Sequence, residues 1–174
     1  EIILTTGIHG LSKLGFMIQN KINFDSDFSL NERLISKSIE QFCRPKVYPN
    51  FLKNLLKTRP NKKIKKIGCT DSSDGLFQAI QDLAIASNCK AIINYDKIPK
   101  DKNWPKGDKW DEYYFFGGED YELVFSLPAK WAKSLTKLDQ NINEIGFFTN
   151  GEPSIEFKDN KKNNLLDNTP FKHF

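Results

Sequence analysis

The chain has 174 residues, 39% hydrophobic and 28% charged, with 26 Lys and Arg against 22 Asp and Glu for a formal charge of +4. This balance predicts one soluble globular domain with a proper core; no apolar stretch nears the ~20 residues of a membrane span, and no signal-peptide pattern is present. The charge excess is mild and scattered, and its one dense run, residues 61–66, lacks aromatic interleaving, so neither nucleic acid nor membrane is expected as a partner.

Residues 1–6, EIILTT, have the β-branched richness of a strand, punctuated by Gly7 and Gly10. The run begins at Glu1 with no initiator methionine, and we expect the chain to be part of a longer protein whose N-terminal portion is absent. Residues 11–21 place Leu11, Leu14, Met17 and Ile18 at helical spacing. After the polar, turn-rich stretch 23–29, residues 30–42 predict a second helix with Leu34, Ile35, Ile39 and Phe42 on one face. Arg44-Pro45 and Tyr48-Pro49 end it, because the residue before proline is pushed out of the helical region. A shorter helix, 50–57, precedes the basic loop.

Residues 65–70 form a candidate strand that ends near Cys69, expected to be a small core residue. Cys43, Cys69 and Cys89 are widely spaced and form no CxxC or Cys/His cluster, which argues against a structural zinc or disulfide framework and places the chain in the cytoplasm. The clearest helix is 73–88, where Leu76, Ile80, Leu83, Ala84 and Ser87 recur every three or four residues. A strand at 90–95 follows, then a charged, Trp-containing loop at 100–112. Strands at 121–127 and 144–149 flank a helix at 129–138, and 154–157 is expected to return as a hairpin partner across Asn150-Gly151. The pattern is a mixed α/β (α+β) fold with helices packed on one mixed β-sheet.

Three stretches carry chemistry. Asp71-Ser72-Ser73-Asp74-Gly75 lies at a strand-to-helix turn. Ser73 there is an ordinary N-cap and Asp74 suits the positive end of the helix. The same geometry is also a phosphate seat, and its two carboxylates suit Mg²⁺, a hard ion that takes oxygen ligands and bridges to phosphates. In Gly117-Gly118-Glu119-Asp120-Tyr121-Glu122-Leu123, paired glycines permit close backbone approach, and two acids at the start of a buried-looking strand need exposure or partners. The ending Phe171-Lys172-His173-Phe174 offers aromatics that would anchor the tail or cover a ring-containing ligand.

In this order, these stretches resemble the C-terminal half of the thiamine-monophosphate kinase family, within the aminoimidazole ribonucleotide synthetase-like superfamily. Residues 71–76 match its D-x-S-D-G-L turn, 117–123 match G-G-E-D-Y-E-L without a change, 142–146 match I-x-x-I-G, and 171–174 match an aromatic-x-H-F ending. The resemblance implies the C-terminal α/β domain of a two-domain protomer. The absent N-terminal domain would mediate homodimerisation and supply most Mg²⁺ ligands and much of the ATP site. It further implies that Asp71 and Asp74 bind Mg²⁺, that Ser73 contacts ATP, and that Glu119 and Phe171 contact thiamine monophosphate. The implied reaction is ATP-dependent phosphorylation of thiamine monophosphate to thiamine diphosphate, with this chain inactive alone. Two departures stand out: Ser72 replaces a usual aliphatic residue, and 7–12 read G-I-H-G-L-S where the family tends to G-T-L-G-D-S. Another ATP-using member of the superfamily, or a non-catalytic phosphate- or Mg²⁺-binding module, is the alternative.

Overall fold

A computed structural model describes residues 1–22, 30–46, 48–60 and 67–158. The expectations for the stretch 23–29, the basic run 61–66, Phe171 and His173 lie outside the described residues. The elements are β1 (Ile2–Thr6), α1 (Leu11–Gln19), α2 (Glu32–Cys43), α3 (Phe51–Thr58), β2 (Gly68–Asp71), α4 (Leu76–Ser87), β3 (Lys90–Ile93), α5 (Asp108–Phe116), β4 (Leu123–Leu127), α6 (Ala129–Leu138), β5 (Ile142–Thr149) and β6 (Ser154–Phe157). The strands form one sheet in the order β2-β4-β1-β5-β3-β6, antiparallel except for the β3–β6 pair. None of its described helices is long and apolar enough to cross a membrane.

Strand alternation sends successive side chains to opposite faces, and both faces are covered by helices. Ile3, Val124, Ala91, Ile93 and Ile145 meet α1, α4 and α5 through Leu14, Leu76, Ile80, Tyr114 and Phe115. On the other face Leu4, Phe125, Leu127 and Ile142 meet α3 and α6 through Phe51, Leu55, Trp131 and Leu135. The Phe51 and Phe125 rings pack edge to face, with centroids 4.8 Å apart.

The helical expectations hold where the apolar period is long. α4 buries Leu76, Ile80, Leu83 and Ala84 as its spacing requires. α2 is capped by Asn31, whose side-chain oxygen accepts from the backbone N–H groups of Arg33 and Leu34. Its most buried positions are Leu34, Ser38 and Gln41, while Ile35, Ile39 and Phe42 are half-buried. The difference comes from Gly15 on α1: a Cβ there would stand 2.1 Å from the Ser38 carbonyl oxygen, so the backbones touch where both residues are small.

Three expectations are corrected. Residues 108–112 of the segment expected as a loop belong to α5, because Trp110, Tyr114, Phe115 and Phe116 turn inward at helical spacing while the intervening charges disguise the period. β6 does not pair with β5 as a hairpin; it lies parallel to β3, with Lys90 opposite Ser154 and Ile93 opposite Phe157. Both edges of β5 are already taken by β1 and β3, so the chain must step over β3 to reach an open edge. Cys69 is exposed rather than a core residue, because β2 is an edge strand and turns Cys69 and Asp71 outward.

The register of β1 against β5 shifts between Ile3 and Leu4, leaving an extra residue on β5 near Ile145. A Cβ on Gly146 would lie 2.2 Å from the Ile92 carbonyl oxygen and 3.0 Å from Ile93 Cδ1. The glycine of the I-x-x-I-G stretch is therefore a steric requirement of the close approach of β3 to β5 beside the bulge. Gly146→Ala should cost about 1–3 kcal/mol, by the usual scale of overpacking. Urea denaturation of the isolated chain, comparing midpoints, measures it.

Candidate functional site

β1 and β2 both run antiparallel to β4, which lies between them, so they end beside the start of β4. Asp71, the last residue of β2, faces Leu123, the first of β4, and Thr5 faces Val124. The N-termini of α1 and α4 follow at the same sheet end, bringing together the loops 7–10, 72–75 and 117–122.

The second and third of these loops are laced to each other through their backbones. The Ser72 N–H donates to the Glu122 carbonyl at 2.8 Å, and the Glu122 N–H donates to Ser72 Oγ at 3.1 Å. The Glu119 N–H donates to the Ser73 carbonyl at 2.8 Å. Ser72 is fully buried, so its hydroxyl satisfies a buried backbone donor that an aliphatic side chain would leave to other partners. The serine that departs from the family pattern is thus accommodated by a hydrogen bond.

Gly75 precedes α4 at φ 95°, where a Cβ would meet the Phe116 carbonyl oxygen at 2.9 Å. The expected cap is corrected here: α4 starts at Leu76, not Ser73, and its N-cap Gly75 makes no side-chain bond. Ser73 instead sits in the preceding turn, its N–H donating to Asp71 Oδ1 at 2.9 Å. Asp71 is exposed, and Ser73 and Asp74 are half-buried at the tip of this turn.

The 117–122 loop divides its acids sharply. Glu119 and Tyr121 both adopt left-handed backbone, at φ 67° and 55°, a conformation that costs non-glycine residues energy and persists only where surroundings enforce it. Tyr121 is 42% exposed and its hydroxyl donates to Glu119 Oε2 at 2.5 Å. That bond and the charge of Glu119, with lesser contributions from Asp71 and Asp74, push the phenol pKa upward. The bonds between the two loops bring the turn that carries Asp71 and Asp74 beside the loop that carries Glu119 and Tyr121. Ser73 adjoins them through the Glu119 bond.

Asp120 and Glu122 point the other way. Asp120 is fully buried, with Oδ2 accepting from the Gly10 N–H at 2.5 Å and Oδ1 from the Ser12 N–H at 2.9 Å. Burial pushes its pKa up to about 7 against the opposing pull of those N–H bonds. The Gln41 side chain donates to the Asp120 carbonyl at 3.0 Å. Glu122 accepts from the Thr6 hydroxyl at 2.5 Å, and lies so close over Gly7 that a Cβ there would fall 1.9 Å from its Oε1. Burial pushes the Glu122 carboxyl up as well. His9, fully buried, has Nε2 2.7 Å from Thr5 Oγ1, and burial pushes its pKa down to about 3. Sequence reasoning missed these supports. Its signals were the adjacent acids at a buried strand start and the paired glycines Gly7 and Gly10, neither of which says which acid turns inward.

Residues 1–158 match the family described as AIR synthase related protein, C-terminal domain. The chain belongs to this family. Among its relatives, a protein from Prochlorococcus marinus named thiamine-monophosphate kinase is 33% identical over 174 residues, covering 100% of this chain and 52% of the relative. One of the same name from Nitrosopumilus maritimus is 38% identical over 108 residues, covering 60% and 34%. The structure described as AaThiL complexed with AMPPCP and TMP superposes with a TM-score of 0.71 at 24% identity, covering 99% of this chain and 51% of that one. At such identity the likeness shows a shared fold alone. The chain spans about half the length of the curated relatives it matches.

The two buried titrating groups give opposite dependences on pH. Native His9 stays neutral while the unfolded residue takes a proton below about 6.5, so its effect is a loss of stability as pH falls from 6.5 towards 3. Native Asp120 keeps its proton to about 7 while the unfolded one releases it near 3.8, so its contribution is lost as pH rises through 7. Relative to the unsubstituted chain, His9→Gln should therefore gain stability as pH drops from 6.5 to 4. Asp120→Asn should gain relative stability as pH rises over the same window. Urea titrations at four pH values measure both difference curves.

Proposed function

We propose that this chain is the C-terminal half of a thiamine-monophosphate kinase. In this reading the γ-phosphoryl group of ATP passes to a phosphate oxygen of thiamine monophosphate. The β–γ bridging bond breaks, a new P–O bond forms, and ADP and thiamine diphosphate leave. The observation that supports it most is the clasp between the 71–75 turn, which carries Asp71 and Asp74, and the 117–122 loop, which carries Glu119. Relatives of the same name cover the whole chain, and a neighbour of the same fold is described with AMPPCP and TMP bound.

Phosphoryl transfer demands positioning and charge neutralisation more than nucleophilic side chains, which suits a rim of carboxylates on rigid turns. Asp71 and Asp74 would hold Mg²⁺, which would neutralise charge on the transferring phosphates. The donor set fits a hard cation only in part. The described residues contain no group of three His, Cys, Asp or Glu able to hold a metal, so substrate phosphates and another domain would complete the shell. Ser73 would contact ATP from the turn, and Glu119 would face the substrate, its carboxylate oriented by the Tyr121 hydroxyl. Phe171 would take the aromatic position beside the thiamine rings. An N-terminal domain would bring the remaining metal and nucleotide ligands and mediate homodimerisation, and the active protein would work in the cytoplasm.

The isolated 174-residue chain should form no detectable thiamine diphosphate, because one domain does not assemble the metal site; robust turnover by it would refute the division of labour. In the two-domain protein, Asp71→Asn should lower kcat on the order of a hundredfold or more, the scale of lost charge stabilisation at a transferring group. Its melting temperature should hold, since Asp71 is exposed and bonds only a local turn. Lost stability with intact turnover would make Asp71 a structural residue. Glu119→Gln should raise KM for thiamine monophosphate and leave KM for ATP unchanged, and steady-state kinetics with each substrate varied decides.

A further inference from the structure

The sequence of α1 supplies no cap of its own. Its N-cap is Gly10, at φ 85°, without a side-chain bond, and no acidic residue occupies its first turn. The first N–H groups of a helix lack intrahelical partners and gather the positive end of its dipole, so leaving them buried and unmet is costly. Here both Gly10 and Ser12 donate to Asp120, a residue more than a hundred positions away in the chain. The cap of α1 is therefore also the anchor of the 117–122 loop.

That anchor sits between two strained residues. Glu119 and Tyr121, in left-handed backbone on either side of Asp120, turn outward while Asp120 turns inward. Such a backbone needs enforcement from its surroundings, and Asp120 receives it at three points: the two N–H donors of α1 and the Gln41 amide of α2 on its carbonyl. The lack of a side chain at Gly117 also lets the loop lie close to α1, since a Cβ there would stand 2.8 Å from Lys13 Cβ in the first turn of that helix.

We propose that Asp120 is a positioning residue for Glu119. By fastening the loop to the N-terminus of α1, it fixes the backbone turn from which Glu119 faces the substrate. The proposal rests on the reading of Glu119 as the contact to thiamine monophosphate. Asp120 itself is fully buried, and its effect is read on the thiamine side because Glu119 is its neighbour in the chain while Asp71 and Asp74 stand on a different loop.

Two measurements test it. In the two-domain protein, Asp120→Asn keeps the shape but sets an amide donor against a backbone donor, and Asp120→Ala removes the anchor. Both should raise KM for thiamine monophosphate on the order of tenfold or more, as misplacement of a binding group does, with KM for ATP changed less than about twofold. A merely structural residue would move both constants together or leave both alone, and either pattern overturns the proposal. In the isolated chain, hydrogen exchange by NMR should show the Glu119, Gly10 and Ser12 amides of Asp120→Asn exchanging faster while α4 and β5 stay protected. Unchanged exchange at Glu119 in the folded variant overturns the anchor directly. Absence of thiamine monophosphate turnover by the unsubstituted two-domain protein would instead sink the kinase reading and with it the role given to Glu119, and the exchange result separates that failure from failure of the anchor.

Discussion

A single buried carboxylate ties this fold together at its functional end. Asp120 closes the N-terminus of α1 and holds the glycine-rich loop that leads into β4. An uncompensated carboxyl in the interior would be costly, and two backbone donors at a helix start are the compensation that its burial requires. Because the donors come from one end of the chain and the acceptor from the other, the loop acquires a defined shape only once the sheet has formed. Glu122 repeats the arrangement one turn later, reaching the Thr6 hydroxyl at the end of β1.

This explains why acids alternate in their fates along four residues. The side chains alternate in and out as they would along a strand, but here a loop with left-handed residues at 119 and 121 produces the alternation before β4 begins. The outcome is an inward pair, Asp120 and Glu122, that bonds to the scaffold, and a second pair, the half-buried Glu119 and the exposed Tyr121, that bond to each other. The 71–75 turn uses the other half of the clasp. Ser72 is spent on the scaffold, while Asp71, Ser73 and Asp74 remain at the rim. Each loop therefore divides its residues between holding shape and facing outward, and three hydrogen bonds join the two.

The positions of β1, α1, α4, α6 and the mixed α/β class were legible in the sequence because their apolar periods are long and little interrupted. α5 was not legible, since Asp108, Lys109, Asp111 and Glu112 hide the inward spacing of Trp110 and Tyr114. The partner of β6 was not legible either. A turn such as Asn150-Gly151 favours a hairpin locally, but pairing depends on which strand edges remain open, and β1 and β3 had occupied those of β5. Cys69 looked like core because a strand of apolar residues is usually covered on both faces, and only its place at the sheet edge leaves it exposed.

The stretches at 71–76 and 117–123 were readable as a family resemblance from their motifs and order, and the chain's membership of the AIR synthase related family agrees with that resemblance. What the sequence by itself determined was the set of local elements and the presence of carboxylates at two turns, both governed by neighbours a few residues away. Only the tertiary structure decided which carboxylates turn inward. That choice depends on backbone N–H groups of α1, more than a hundred residues from Asp120, which no local pattern can bring into view.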